Sequence, residues 1–232
     1  MKIPPILRSD RPVGLVGGSG LNIAELGVIR RNCGPLVAAD GGANLLMAHG
    51  VVPDAVIGDL DSLDPDVARR IPADRVHHVS EQDSTDFEKC LTRIAAPLVV
   101  GTGFLGRRVD HMMAACTALV RHADRPCLLL GGEDQLFHCP PEVALSLETG
   151  TRVSLYPLAP VTGRSEGLRW PIDGLAFRPD GRVGTSNVAL GGTVRLSMDG
   201  PGMLVILPAA TLAETALVLA GGGGRWPVPA PR

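Results

Sequence analysis

Two short runs without a polar residue, residues 36–39 and 55–57, each lead within one residue to aspartate. A strand with no polar face must be covered on both sides, which is the condition of a parallel sheet flanked by helices. The same rhythm extends over the first half of the chain. Apolar runs at 13–17, 36–39, 55–58, 76–79, 98–101 and 127–130 alternate with amphipathic segments at 21–31, 43–49, 65–70, 86–94 and 109–122. This alternation predicts an α/β domain over residues 1–132 with a mainly parallel, helix-flanked sheet.

After about residue 132 the pattern changes. Eight prolines from Pro140 to Pro208, frequent glycine and short β-like runs at 152–156, 174–177, 193–198 and 203–207 replace the helical spacing. Pro179-Asp180-Gly181 reads as a tight turn between two of these runs. A smaller all-β, sandwich-like or barrel-like domain is expected over 133–220, followed by a flexible Gly/Pro-rich tail at 221–232.

Composition removes several classes. The net charge of −2 carries no footprint for nucleic acid, and 3% aromatic residues leave few platforms for stacking bases. No apolar run is long enough to span a bilayer. The first residues are broken by Pro4 and Pro5 and lack a signal-peptide core, so a cytoplasmic chain is expected. Five scattered cysteines without a C-x-x-C pair argue for buried free thiols, not for a disulfide framework or zinc. Lys2 and Lys89 are the only lysines, and neither is followed by Ser or Thr. A P-loop is therefore excluded, and phosphate chemistry would fall to carboxylate-bound metal and arginine.

Carboxylates concentrate where such a sheet binds ligands, at strand ends. Asp40 lies in Ala39-Asp40-Gly41-Gly42-Ala43-Asn44, Asp59 and Asp61 in Gly58-Asp59-Leu60-Asp61-Ser62, and Asp83 and Asp86 in Asp83-Ser84-Thr85-Asp86-Phe87. An extended Asp59-x-Asp61 turns both carboxylates to one face, and an oxygen-only donor set suits Mg²⁺ with phosphate and water. Each cluster also has a plainer reading. Ser62 could cap the helix at Pro65, Asp83 the helix at Asp86, and Asp40 the helix near Ala43. The glycine-rich run 101–106 before a helix can cradle phosphate through backbone N–H groups, with Arg108 as a guanidinium fork.

Taken together, A-D-G-G-A-N, V-P-D-x-V-I-G-D-x-D-S ending at Ser62, D-x-T-D-F-x-K-C-L beginning at Asp83 and G-x-x-G-x-R-x-D-H ending at His111 resemble thiamine pyrophosphokinase. Gly167-Leu168-Arg169-Trp170 and Gly184-Thr185-Ser186-Asn187 resemble that family's C-terminal segments. The resemblance implies attack of the thiamine hydroxyl on the β-phosphorus of Mg·ATP, giving thiamine diphosphate and AMP. It implies a homodimer, with thiamine bound between subunits. Carried over by motif, Asp59, Asp61 and Asp86 would hold Mg²⁺, act in catalysis and position the hydroxyl, with one carboxylate, Asp59 by preference, orienting the hydroxyl or accepting its proton. Asp40, Gln82, Thr85, Arg108 and Asp110 would line the ATP site, and Ser186 and Asn187 would face thiamine. Arg107 departs from the family loop, which has glycine there. Alternatives are a pyrophosphokinase for another alcohol such as a hydroxymethylpterin, a metal-dependent phosphohydrolase, and a nucleotide-sensing module without turnover.

Overall fold

The structure is a computed structural model that describes residues 3–106, 108–222 and 224–227. Arg107 and half of the expected tail lie outside the described residues. The chain divides into two units, residues 1–115 with 129–131 and residues 116–128 with 132–232.

In chain order the elements of the first unit begin with strand β1 (Leu7–Arg8), β2 (Val13–Val16), helix α1 (Ile23–Asn32), β3 (Leu36–Ala39), α2 (Gly42–Ala48) and β4 (Ala55–Gly58). They continue with α3 (Pro65–Ala68), β5 (Val76–His78), α4 (Asp86–Arg93), β6 (Ile94–Ala95) and β7 (Val99–Thr102). Helix α5 (Val109–Arg121) and strand β8 (Cys127–Gly131) each have residues in both units. Five strands form a parallel array in the order β7-β2-β3-β4-β5. Every residue of β2, β3, β4 and β7 is buried, the outcome expected of strands without a polar face. The order runs outward from β2 through β5 and then jumps back to place β7 on the other side of β2. Connections therefore diverge above the ends of β2 and β7, and that divergence opens a crevice.

Helix starts follow local chemistry. Asn22 and Glu25 form a reciprocal capping box on α1, and Thr85 accepts from Glu88 N at the start of α4. The cap of α3 is Asp64 and not Ser62 as expected: Pro65 occupies the first helical position, so the residue just before it caps, and Asp64 Oδ1 accepts from Asp66 N. For α2 the cap is Gly41, with no side-chain cap bond, so Asp40 is not spent on capping.

The second unit holds β9 (Asp134–His138), β10 (Glu142–Leu147), β11 (Arg152–Pro157), β12 (Gly163–Glu166), β13 (Gly184–Val188), β14 (Gly192–Met198), β15 (Met203–Pro208) and helix α6 (Leu212–Ala220). Its strands pair antiparallel in two groups, β13-β11-β15-β9 and β10-β14-β12. It is not all-β. Helix α6 buries Leu212, Thr215, Ala216 and Leu219, an i, i+3, i+4, i+7 face, and its Glu214 accepts from Ser146 N on β10. Small Thr215 and Ala216 on that face and exposed Leu217 outside it blur the period, which is why pattern reading missed the helix. The expected run at 174–177 is reduced to one bridge, Val161 with Phe177, because Gly174 takes a positive φ of 74°. The turn at Pro179-Asp180-Gly181 is present, closed by Gly181 N on Arg178 O. In the chain end, Trp226 Nε1 donates to Cys139 O at 2.9 Å, a tie to the rest of this unit.

All five cysteines are free, and burial pushes the Cys33 and Cys139 thiols up to about 12. Among the described residues no helix is long and apolar enough to cross a membrane.

Candidate active site

The crevice at the switch point is a cleft of about 400 Å³ in the first unit, lined by Gly18, Ser19, Asp40, Thr85, Asp86 and Arg108 among others. Its volume falls in the range of small-molecule sites. Two strand ends bring three carboxylates together at the cleft, with Asp40 in its lining. Asp40 follows β3, Asp59 follows β4, and Asp61 lies two residues on; one carboxylate oxygen of each lies within 4.8 Å of the other two. Gly58 makes this approach feasible, since a Cβ there would stand 2.8 Å from Asp40 Cβ and 3.2 Å from Asp86 Oδ1.

Asp40 is 2% exposed and takes a positive φ of 44°, a conformation that aspartate tolerates better than most residues. Its Oδ2 accepts from Ser62 N at 3.2 Å, while buried Oδ1 has no partner. An orphaned carboxylate oxygen beside two further carboxylates is a donor set that fits a hard divalent cation.

Lys89 is the functional residue that the sequence reading missed. It is 2% exposed and donates to Asp59 Oδ2 at 2.9 Å and Asp86 Oδ1 at 3.0 Å. The expectation that metal and arginine alone neutralise the site is therefore corrected: one lysine is buried among the carboxylates. The signal was present, because Asp86 and Lys89 stand at i and i+3 on α4 and so share a face. Burial disfavours its ammonium, but the bonds to Asp59 and Asp86 outweigh burial and raise its pKa. The Lys89 hydrogen bond in turn lowers the pKa of Asp59.

The other expected residues are distributed as follows. Gln82 Nε2 reaches Asp59 Oδ2 at 3.4 Å, and Thr85 caps α4 at the cleft wall. Arg108 lines the cleft while gripping Asp110 through two bonds of 3.2 and 2.7 Å, which lowers the Asp110 pKa to about 2. Asp83 is exposed and does not cap α4. In the second unit, Ser186 is exposed with φ 62°, and its N–H donates to Ser154 Oγ. Asn187 is buried with its amide committed: Oδ1 accepts from Trp170 N and Val188 N, and Nδ2 donates to Trp170 O at 2.7 Å. It thereby fixes Trp170, which is 54% exposed and whose ring carries the Arg169 guanidinium 5.2 Å from its centre.

Burial, together with the neighbouring Asp61 and Asp86, raises Asp40 from its ordinary 3.8 to about 6, against the opposing pull of the Ser62 N–H. Its folded pKa exceeds its unfolded one. The folded chain therefore takes up this proton first, and stability is gained as pH falls through 6 toward 3.8. Asp59, with a lowered pKa, contributes stability above 3.8 that is lost only at more acidic pH. Relative to Asp40→Asn, the wild-type chain without divalent cation should gain about 0.8 kcal/mol between about pH 7.5 and about pH 5.5. Urea midpoints of both proteins at the two pH values measure it. The difference cancels opposing groups common to both, such as His138, whose pKa burial lowers to about 4. Equal pH dependence in the two proteins would show that Asp40 is ionised throughout.

Residues 29–129 match the family model for the catalytic domain of thiamin pyrophosphokinase. The chain is 29% identical over 198 residues to thiamine pyrophosphokinase 1 of Oryza sativa subsp. japonica, covering 70% of this chain and 75% of that one. It is 27% identical over 188 residues to thiamine pyrophosphokinase 1 of Arabidopsis thaliana, covering 66% and 70%. In fold it is similar to thiamin pyrophosphokinase of Geobacillus thermodenitrificans, with TM-score 0.70, 23% identity and coverage of 85% of this chain and 96% of that one. The yeast enzyme gives TM-score 0.73 at 17% identity, covering 92% and 89%. Motifs, family model, relatives and fold thus meet in a single resemblance, to thiamine pyrophosphokinase.

Proposed function

We infer that this chain is an enzyme that transfers a pyrophosphoryl group from ATP to the hydroxyl of thiamine, giving thiamine diphosphate and AMP. The observation that carries the reading is the cluster of Asp40, Asp59 and Asp61, with Lys89 bonded to Asp59 and Asp86, at a switch-point cleft. Transfer of this kind needs positioning and charge neutralisation more than covalent chemistry.

Asp59, Asp61 and Asp86 would hold Mg²⁺, with the free Oδ1 of Asp40 beside them. The cation, when bound, supplies neutralisation of phosphate oxygens and of the charge developing on the leaving AMP. Lys89 keeps Asp59 ionised, so Asp59 is suited to orient the acceptor hydroxyl by accepting its hydrogen bond and poorly suited to remove its proton. Asp40, Gln82, Thr85 and Arg108 face the nucleotide, and Asp110 fixes the guanidinium of Arg108. Residues 1–132 form the nucleotide domain and 133–220 the thiamine-binding and dimerisation domain of a cytoplasmic homodimer. There Ser186 faces thiamine, and Asn187 serves it by fixing Trp170.

The test is an AMP-versus-ADP assay on purified protein with Mg·ATP, with and without thiamine. Thiamine-dependent AMP with an equal yield of thiamine diphosphate is expected. Phosphate release that ignores thiamine would overturn the reading in favour of hydrolysis, and a pterin alcohol that replaces thiamine would reassign the acceptor.

A further inference from the structure

We propose that Asn44 is a positioning residue for the carboxylate loop, its carboxamide holding Ser62 and Asp64 so that Asp59 and Asp61 stand ready for a divalent cation. The proposal rests on the reading of the aspartate cluster as a cation site. Asn44 lies in the first turn of α2 and is half-buried at the cleft wall. Its Nδ2 donates to Ser62 O at 2.8 Å, and its Oδ1 accepts from Asp64 N at 3.0 Å. From the same segment, Asp40 Oδ2 accepts from Ser62 N. The backbone of Ser62 is thus gripped at both its N–H and its C=O by residues four positions apart.

The loop needs such a grip. Leu60 has φ 64°, a left-handed conformation that a leucine side chain disfavours. The loop lies directly on Gly41, where a Cβ would meet Ser62 Cβ at 3.1 Å and Ser62 O at 3.3 Å. Asp61 itself is exposed and receives the hydroxyl of Ser62 at 2.9 Å, so its placement follows that of Ser62. A carboxamide is the short side chain that offers one donor and one acceptor on a rigid plane. Aspartate would keep the acceptor and lose the donor; alanine would lose both. Groups that hold metal ligands in place commonly change metal affinity about tenfold to a hundredfold when removed.

The experiment uses the full chain, freed of nucleotide, with Mn²⁺ as the probe cation. Binding is measured by titration calorimetry, and amide exchange is followed across residues 59–64. Asn44→Ala should weaken Mn²⁺ binding by about tenfold to a hundredfold and speed exchange of the loop amides, and Asn44→Asp should weaken it less. Should Asn44→Ala fail to fold, Asn44→Asp, which keeps the size and one bond, carries the comparison. Variants that bind Mn²⁺ within about twofold of wild type would overturn the role of Asn44. Wild type that binds no Mn²⁺, or binds it equally in Asp61→Asn, would overturn the cation site itself, and the role of Asn44 with it.

Discussion

Asp61→Asn should lower kcat by about a thousandfold, roughly 4 kcal/mol of transition-state stabilisation, while the chain melts at the same temperature or higher when divalent cation is absent. The two halves of this expectation have one cause. Asp40, Asp59 and Asp61 lie together, and the ammonium of Lys89 is bonded to Asp59 and Asp86 alone among the four carboxylates. Like charges so close repel, and the raised pKa of Asp40 reports it: after burial, the proximity of Asp61 and Asp86 adds to the upward shift. Asparagine at position 61 removes one of these charges. It also keeps an acceptor for the Ser62 hydroxyl, so the local bond survives. On the proposed reading, what it removes is a charged oxygen that would hold the cation, and with it neutralisation of the phosphates. Activity and stability are therefore expected to move in opposite directions, as at other sites built for function. AMP formation gives the first quantity and a thermal melt in chelator the second. Near-wild-type kcat would remove Asp61 from the cation site, and a melt lowered by several degrees would make its role structural.

Lys89→Met is the change expected to cost most stability, about 2 to 4 kcal/mol near neutral pH. Methionine fills much the same space, so packing is not the main loss. Removing one partner of a buried ion pair usually costs about 3–5 kcal/mol, since the other charge is left without compensation. Here the side chains of Asp59 and Asp86 are 18% and 34% exposed, and water offsets part of that cost. The pH dependence follows by sign. Lys89 depresses the Asp59 pKa, so the stability it confers is present above 3.8 and is lost as pH falls below it. The deficit of Lys89→Met should accordingly shrink below about pH 4. Adding Asp59→Asn to Lys89→Met should recover part of the loss, because the uncompensated charge is then gone. Urea denaturation of the two single variants and the double variant measures the coupling. Strictly additive losses would show that the ammonium and the Asp59 carboxylate do not stabilise one another.

The first unit was largely legible in the linear chain. Residues 36–39 and 55–58 contain no polar side chain, and only a doubly covered strand accommodates that composition. Asp40 and Asp59 then fall at strand ends by counting alone, and Thr85 announces α4 by capping chemistry. The second unit was less so. Strands β9, β10, β12 and β13 went unassigned: β9, β12 and β13 carry few apolar residues, so no apolar run marks them, while the alternation of Val143, Leu145 and Leu147 in β10 was a signal left unread. The all-β expectation failed at α6, where the buried face includes threonine and alanine and a leucine points outward.

What the sequence determined by itself is the inventory: a parallel α/β unit, aspartates at its strand ends, no P-loop, and four ordered motifs that resemble thiamine pyrophosphokinase. Tertiary structure decided how that inventory is used. It buried Lys89 between Asp59 and Asp86, left one oxygen of Asp40 without a partner, and turned Asn44 onto the loop that carries Asp61. It also committed the amide of Asn187 to Trp170. The physical reason is range. Strand burial and helix caps depend on residues a few positions apart, which a linear pattern records. Charge compensation joins groups such as Lys89 and Asp59, thirty positions apart, whose distance only the folded chain sets.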